Sequence, residues 1–76
     1  MTGQRETTRY ATPGFTQEDQ RWAVWAGIQR VGWIYPSGPI GWTAQTSAYH
    51  YAGLWPTKQA AAEVLVKQAG YELEVS

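Results

Sequence analysis

The chain has no cysteine and only one histidine, His50. No disulfide framework can staple it, and no cluster of His, Cys or acidic residues has the spacing of a metal site, so neither metal nor other cofactor is expected. Long apolar runs are missing too. No stretch approaches the roughly 18 residues of a membrane helix, and the opening residues lack the basic start and apolar stretch of a signal peptide. These absences predict a soluble, cytoplasmic protein that does not engage a membrane. Acidic residues are absent from Gln20 to Ala62, although over the whole chain six Asp and Glu balance six Lys and Arg. A balanced charge argues against both a nucleic-acid glove and an acidic mimic of nucleic acid.

At 76 residues there is room for one small domain, and a domain of this size buries only about 60% of the surface its unfolded form exposes. With disulfides and metals excluded, a dense aromatic core or self-association must compensate. What the chain does have is tryptophan. All five, Trp22, Trp25, Trp33, Trp42 and Trp55, fall within the acid-free stretch. That is more aromatic surface than so short a segment easily hides. Part of it is therefore expected to be a contact surface, and the protein is expected to work by binding.

Residues 1–20 are rich in Thr, Gln, Gly and charge, with Tyr10 and Phe15 as their large apolar side chains. They cannot bury enough to offset the entropy of ordering and read as a flexible N-terminal arm. The single folded domain is expected over residues 21–76. Its clearest element is a helix over residues 58–69: Thr57 is a good N-cap, Pro56 favours an extended approach, and Gly70 supplies the stop. Ala61, Ala62, Leu65 and Ala69 share one face, flanked by Val64 and Val66, while Gln59, Glu63 and Lys67 share the other. Glu63 and Lys67 form a favourably ordered i, i+4 pair. After Gly70, Tyr71, Leu73 and Val75 alternate with Glu72 and Glu74. This is the pattern of a half-buried terminal strand with its apolar residues toward the helix.

Residues 21–29 would scatter apolar side chains around a helix. As a strand they place Trp22, Val24, Ala26 and Ile28 on one side and Ala23, Trp25 and Gly27 on the other. A turn near Gln29 and Arg30 returns the chain through a strand at residues 31–35, and Pro36, Ser37, Gly38, Pro39 and Gly41 mark a loop. Residues 42–48 read as strand or short helical turn, and a further strand is expected near residues 49–55. The fold class is α+β: a small antiparallel sheet of three to four strands with one helix packed on one face, in the order β-β-β-α-β. One helix covers one face only. Trp25 falls opposite Trp22 and Val24, and Trp33 and Tyr35 fall opposite Ile34. The aromatic set away from the helix is either a partner surface or is roofed by the loop of residues 36–47 and the N-terminal arm.

The stretch Ala52, Gly53, Leu54, Trp55, Pro56, Thr57, Lys58, Gln59, Ala60, Ala61 is preceded by Trp42 and Thr43 and followed by Gly70, Tyr71, Glu72, Leu73, Glu74 and Val75. It resembles the layout of small phage and prophage proteins: a hairpin, a Trp-Thr turn, a capped Ala-rich helix start and a final strand. The similarity covers residues 21–75. Such proteins are mostly of unassigned function, and some resemble anti-defence factors, including anti-CRISPR proteins. The resemblance implies an inhibitor of a host defence complex, acting in the host cytoplasm. Many nucleic-acid mimics are strongly acidic and this chain is neutral, so the implied mechanism is aromatic occlusion of a protein surface.

The first functional expectation is a non-enzymatic protein-binding module. Trp, Tyr and Arg dominate binding hot spots, the aromatics because they bury large area at small conformational cost. This singles out Trp25, Arg30, Trp33, Tyr35 and Trp42, with Trp22 and Trp55 assigned to packing. The alternative is a nucleic-acid-binding domain using sheet-borne Arg and Trp, an architecture that also resembles integrase-arm DNA-binding domains. Arg21, Arg30 and Lys58 are the firm cations near the aromatics, beside His50, so an unaided monomer would bind duplexes weakly. An enzyme is disfavoured, because His50 lacks a carboxylate to orient it and Gly38, Gly41 and Gly53 form no phosphate loop. A homodimer that seals the uncovered face is the third expectation for a partner.

Overall fold

The computed structural model describes residues 9–74. Strands β2 (Pro13–Glu18), β3 (Arg21–Ala26), β4 (Gln29–Pro36), β5 (Trp42–Thr46) and β6 (Tyr51–Trp55) pair in sequence order as a five-stranded antiparallel meander. Helix α1 (Lys58–Gln68) packs across one face of it. A short parallel pair, β1 (Arg9–Ala11) with β7 (Tyr71–Leu73), forms separately. The expected α+β class with one helix is present, while the sheet is larger than the three to four strands the sequence suggested.

The larger sheet comes from the segment expected to be a flexible arm. Residues 1–8 lie outside the described residues, but from Arg9 onward the chain is ordered strand. Its order is supplied by backbone pairing rather than by apolar content: β2 lies on β3 from Pro13 opposite Ala26 to Glu18 opposite Arg21. Only Phe15 contributes a large side chain to the core. An edge strand needs one neighbour and one apolar face, and composition alone underrates such a segment.

Pairing sorts the side chains into two faces, since alternate residues point to opposite sides. On the helix side lie Phe15, Val24 and Gly32 in one row, and Trp22, Ile34 and Ala44 in the next. Val24, Ile34 and Ala44 are fully buried with Ala61, Ala62, Leu65 and Val66 of α1. Trp22, Trp42 and Trp55 pack at the rim of this core. The alanines keep α1 close to the sheet, and Gly32 admits it: a Cβ there would strike the Gln45 carbonyl oxygen and the Leu65 methyls. Thr57 caps the helix, its Oγ1 accepting from the Ala60 N–H at 3.1 Å. Tyr71 and Leu73 pack against the core as expected, and Val75 lies outside the described residues.

Two local expectations are corrected. The turn between β3 and β4 falls at Gly27 and Ile28, so Ile28 is not on the strand face with Trp22 but 97% exposed at the hairpin tip. Glu63 accepts from Gln59 Nε2 at 3.0 Å instead of pairing with Lys67. No helix among the described residues is long and apolar enough to cross a membrane.

Candidate functional site

The helix-free face is built by two β-bulges. Between β3 and β4, Val24 pairs with Gly32 but Trp25 pairs with Arg30, so Val31 is an extra residue. Strict alternation would put Arg30 on the side of Ile34; the extra residue swings it to the opposite side and sends Val31 into the core. Between β5 and β6, Thr43 pairs with Leu54 and Gln45 with Tyr51, so Ala52 and Gly53 together oppose Ala44. Tyr51 and Leu54 thereby share one face although they are three positions apart. Re-aiming side chains is a usual consequence of bulges. Gly53, at φ 108°, is demanded there, because a Cβ would meet the Trp55 indole at 2.9 Å. That indole closes the bulge by donating to the Ala52 carbonyl at 3.0 Å.

Trp33 lies at the centre of this face and is only 2% exposed. Beside it on the same face is Ala23, its partner on β3, fully buried. The N-terminal segment expected as a roof contributes the Glu18 carboxylate, and the main cover is not the loop of residues 36–47. Instead the guanidinium carbons of Arg21 and Arg30 lie 4.4 and 4.8 Å from its ring centroid, and the Tyr49 ring stacks on it at 5.0 Å. Glu18 ties the group together. It accepts from Trp33 Nε1 at 3.2 Å and stands 3.7 Å from each arginine, touching Arg21 Nη2 with one oxygen and Arg30 Nη1 with the other. Beside this cluster, between Arg21 and Tyr35, opens a cleft of about 830 Å³.

Around Trp33 the face is aromatic and open. Tyr35, Thr43 and Leu54 form one row across β4, β5 and β6, and Trp33, Gln45 and Tyr51 form the next. Exposure is 37% at Tyr35, 41% at Leu54, 64% at Tyr49 and 72% at Tyr51. These four carry the accessible apolar area, which exposed patches of interaction surfaces share.

Of the five residues singled out in the sequence, Trp25, Arg30, Trp33 and Tyr35 come together on this face, and Trp42 does not. Trp42 packs on the helix side, opposite Trp55. Trp33 is the floor of the face rather than part of its accessible surface, and Trp25 is half-buried near Arg30, 5.9 Å from ring centroid to guanidinium. The Trp25 indole N–H is buried with no partner among the described residues. Sequence reasoning missed Glu18, Tyr49, Tyr51 and Leu54. The available signal was a lone glycine inside each strand pattern, Gly32 and Gly53, which marks a bulge and hence a change of face.

Chemically the face offers aromatic area, guanidinium donors and one carboxylate. Among the described residues no group of three or more His, Cys, Asp or Glu is placed to hold a metal ion. The chain matches no protein-family model, no curated protein and no solved structure, so a functional reading has to come from this face itself.

Proposed function

We propose that the protein is a non-enzymatic protein-binding module whose contact surface is the helix-free face of β4 to β6. In line with the resemblance of residues 21–75 to small phage and prophage proteins, some of which resemble anti-defence factors, it acts in the host cytoplasm as an inhibitor that occludes a surface of a host defence complex. The observation carrying the binding reading is that Tyr35, Tyr49, Tyr51 and Leu54 are exposed together on one sheet face around a buried Trp33. Tyrosines offer large area, few rotatable bonds and a polar tip, which suits them to protein contacts. Burying Trp33 beneath them holds the face rigid, so little ordering remains to be done on binding.

A nucleic-acid reading draws on the same tyrosines as stacking platforms beside Arg21 and Arg30. Both arginines are already paired to Glu18, so the cluster carries two positive charges against one negative. That is little for a ligand bound mainly through phosphates.

Light scattering of the purified chain tests the reading. A monomer is expected. A stable dimer that dissociates on Tyr51→Arg would make the aromatics a self-interface and overturn it.

A further inference from the structure

We infer that Arg21 and Arg30 form a carboxylate subsite on this face, and that the partner protein places an acidic side chain there, against the two guanidiniums over Trp33. The inference rests on the protein-binding reading and names the chemistry of the partner. Three observations carry it.

The first is an excess of donors. Two guanidiniums present ten N–H groups, whereas one carboxylate offers about four lone-pair positions. Glu18 already spends one of these on Trp33 Nε1. Its contacts to the arginines, at 3.7 Å each, are ion pairs too long to be hydrogen bonds. Both guanidiniums therefore keep free donors, and their side chains remain 42% and 43% exposed.

The second is that the two donors are held. Each lies within 5 Å of the Trp33 ring centroid, at 4.4 and 4.8 Å, and Arg30 is aimed there by the β3–β4 bulge. Arginine rotamers fixed before binding need not be ordered during it.

The third is charge. Arg21, Arg30 and Glu18 sum to one positive charge, which one further carboxylate neutralises. Glu18 is the internal demonstration that a carboxylate can approach both arginines at once. A partner carboxylate completes a four-charge group against an aromatic wall, and charge-assisted hydrogen bonds to arginine forks are the strong ones.

The test is a titration of the isotope-labelled full chain with acetate, inorganic phosphate or chloride at matched ionic strength. The reporters are the Arg21 and Arg30 Nε–H signals and the Trp33 indole N–H. Saturable acetate shifts are expected at all three, beyond those chloride causes, and lost in Arg21→Gln and Arg30→Gln. Glu18→Gln keeps an acceptor for Trp33 and is expected to tighten acetate by roughly threefold, the scale of one exposed ion pair. Arg21→Lys keeps the charge and the apolar stem but loses the fork, so it should weaken acetate with the melting temperature unchanged. Acetate shifts no larger than those from chloride, or shifts that persist in both Gln variants, overturn the subsite. Saturation by phosphate without saturation by acetate overturns the carboxylate assignment. A dimer in light scattering with the acetate shifts intact overturns the protein partner and leaves the anion chemistry, so the two failures are separable.

Discussion

The Tyr49 ring stacks on Trp33 at 5.0 Å with the planes 15° apart, and it does so from a backbone at φ 67°. A left-handed tyrosine costs of order 1–3 kcal/mol and persists only where its surroundings fix it. Here the hairpin does so: the Tyr49 N–H donates to the Thr46 carbonyl and the Thr46 N–H to the His50 carbonyl, each at 2.8 Å. The turn spends conformational energy to set one exposed tyrosine on a buried tryptophan. Tyr49 therefore belongs to both the stability of the face and its accessible surface.

The two rings should separate in a urea denaturation series. Trp33→Ala empties the centre of the face and is expected to cost about 3–5 kcal/mol, a large share of the 5–15 kcal/mol typical of a domain. Tyr49→Ala removes one stacking contact worth about 0.5–1.5 kcal/mol and leaves the left-handed backbone cost in place, because alanine keeps the Cβ. If Trp33→Ala melts like the wild type, the ring is not the floor described here.

Gly32→Ala should be among the most damaging small substitutions. The added Cβ has to displace the Gln45 carbonyl or the Leu65 methyls, and overpacking of this kind costs about 1–3 kcal/mol before backbone strain is added. The bulge that aims Arg30 should be disturbed with it. Thermal denaturation gives the cost, and a shifted Trp33 indole N–H signal reports the loss of the arginine contacts.

Tyr51→Ala and Leu54→Ala should leave the fold alone. Both side chains are on the open face, 72% and 41% exposed, and substitutions at such positions usually stay within about 0.5 kcal/mol. Equilibrium unfolding is expected to change little while affinity for the partner falls by tenfold or more, about 1.4 kcal/mol, as for a hot-spot pair. Loss of stability in step with loss of binding would make these residues structural.

Thr57→Ala tests the helix rather than the face. Removing the Oγ1 that accepts from Ala60 should cost about 1 kcal/mol, read as a lower urea midpoint at constant slope. Partner binding should be unaffected, because α1 covers the opposite side of the sheet.

Much of the fold is legible because its determinants are local. Thr57, the apolar face of Ala61, Ala62, Leu65 and Val66, and Gly70 define α1, and the Trp-rich alternation at residues 21–26 defines β3. The face assignment of Trp25, Trp33 and Tyr35 against Trp22 and Ile34 also follows from period two alone. What is hidden depends on pairing. The order of residues 9–18 comes from hydrogen bonds to β3 and β7, which composition does not display. Tyr51 and Arg30 change sides because of bulges, and a period-two reading misplaces every residue beyond one unless Gly32 and Gly53 are taken as its mark. Trp42 reads with the open aromatics as long as residues 42–48 fit strand and helical turn alike. Once β5 is known, alternation from Ala44 puts it on the helix side. Glu18 was invisible as a site residue because its partners lie on two other strands.

On the proposed reading the face around Trp33, and not the helix, meets a different protein. Replacing Tyr51 with a photo-crosslinking amino acid, and Glu63 on the outer face of α1 in a parallel sample, tests it in the host cell. The expected result is a covalent adduct with one heterologous protein from position 51, absent from position 63 and abolished by Leu54→Arg. Adducts from position 63 alone, adducts only between copies of this chain, or adducts with nucleic acid would contradict it.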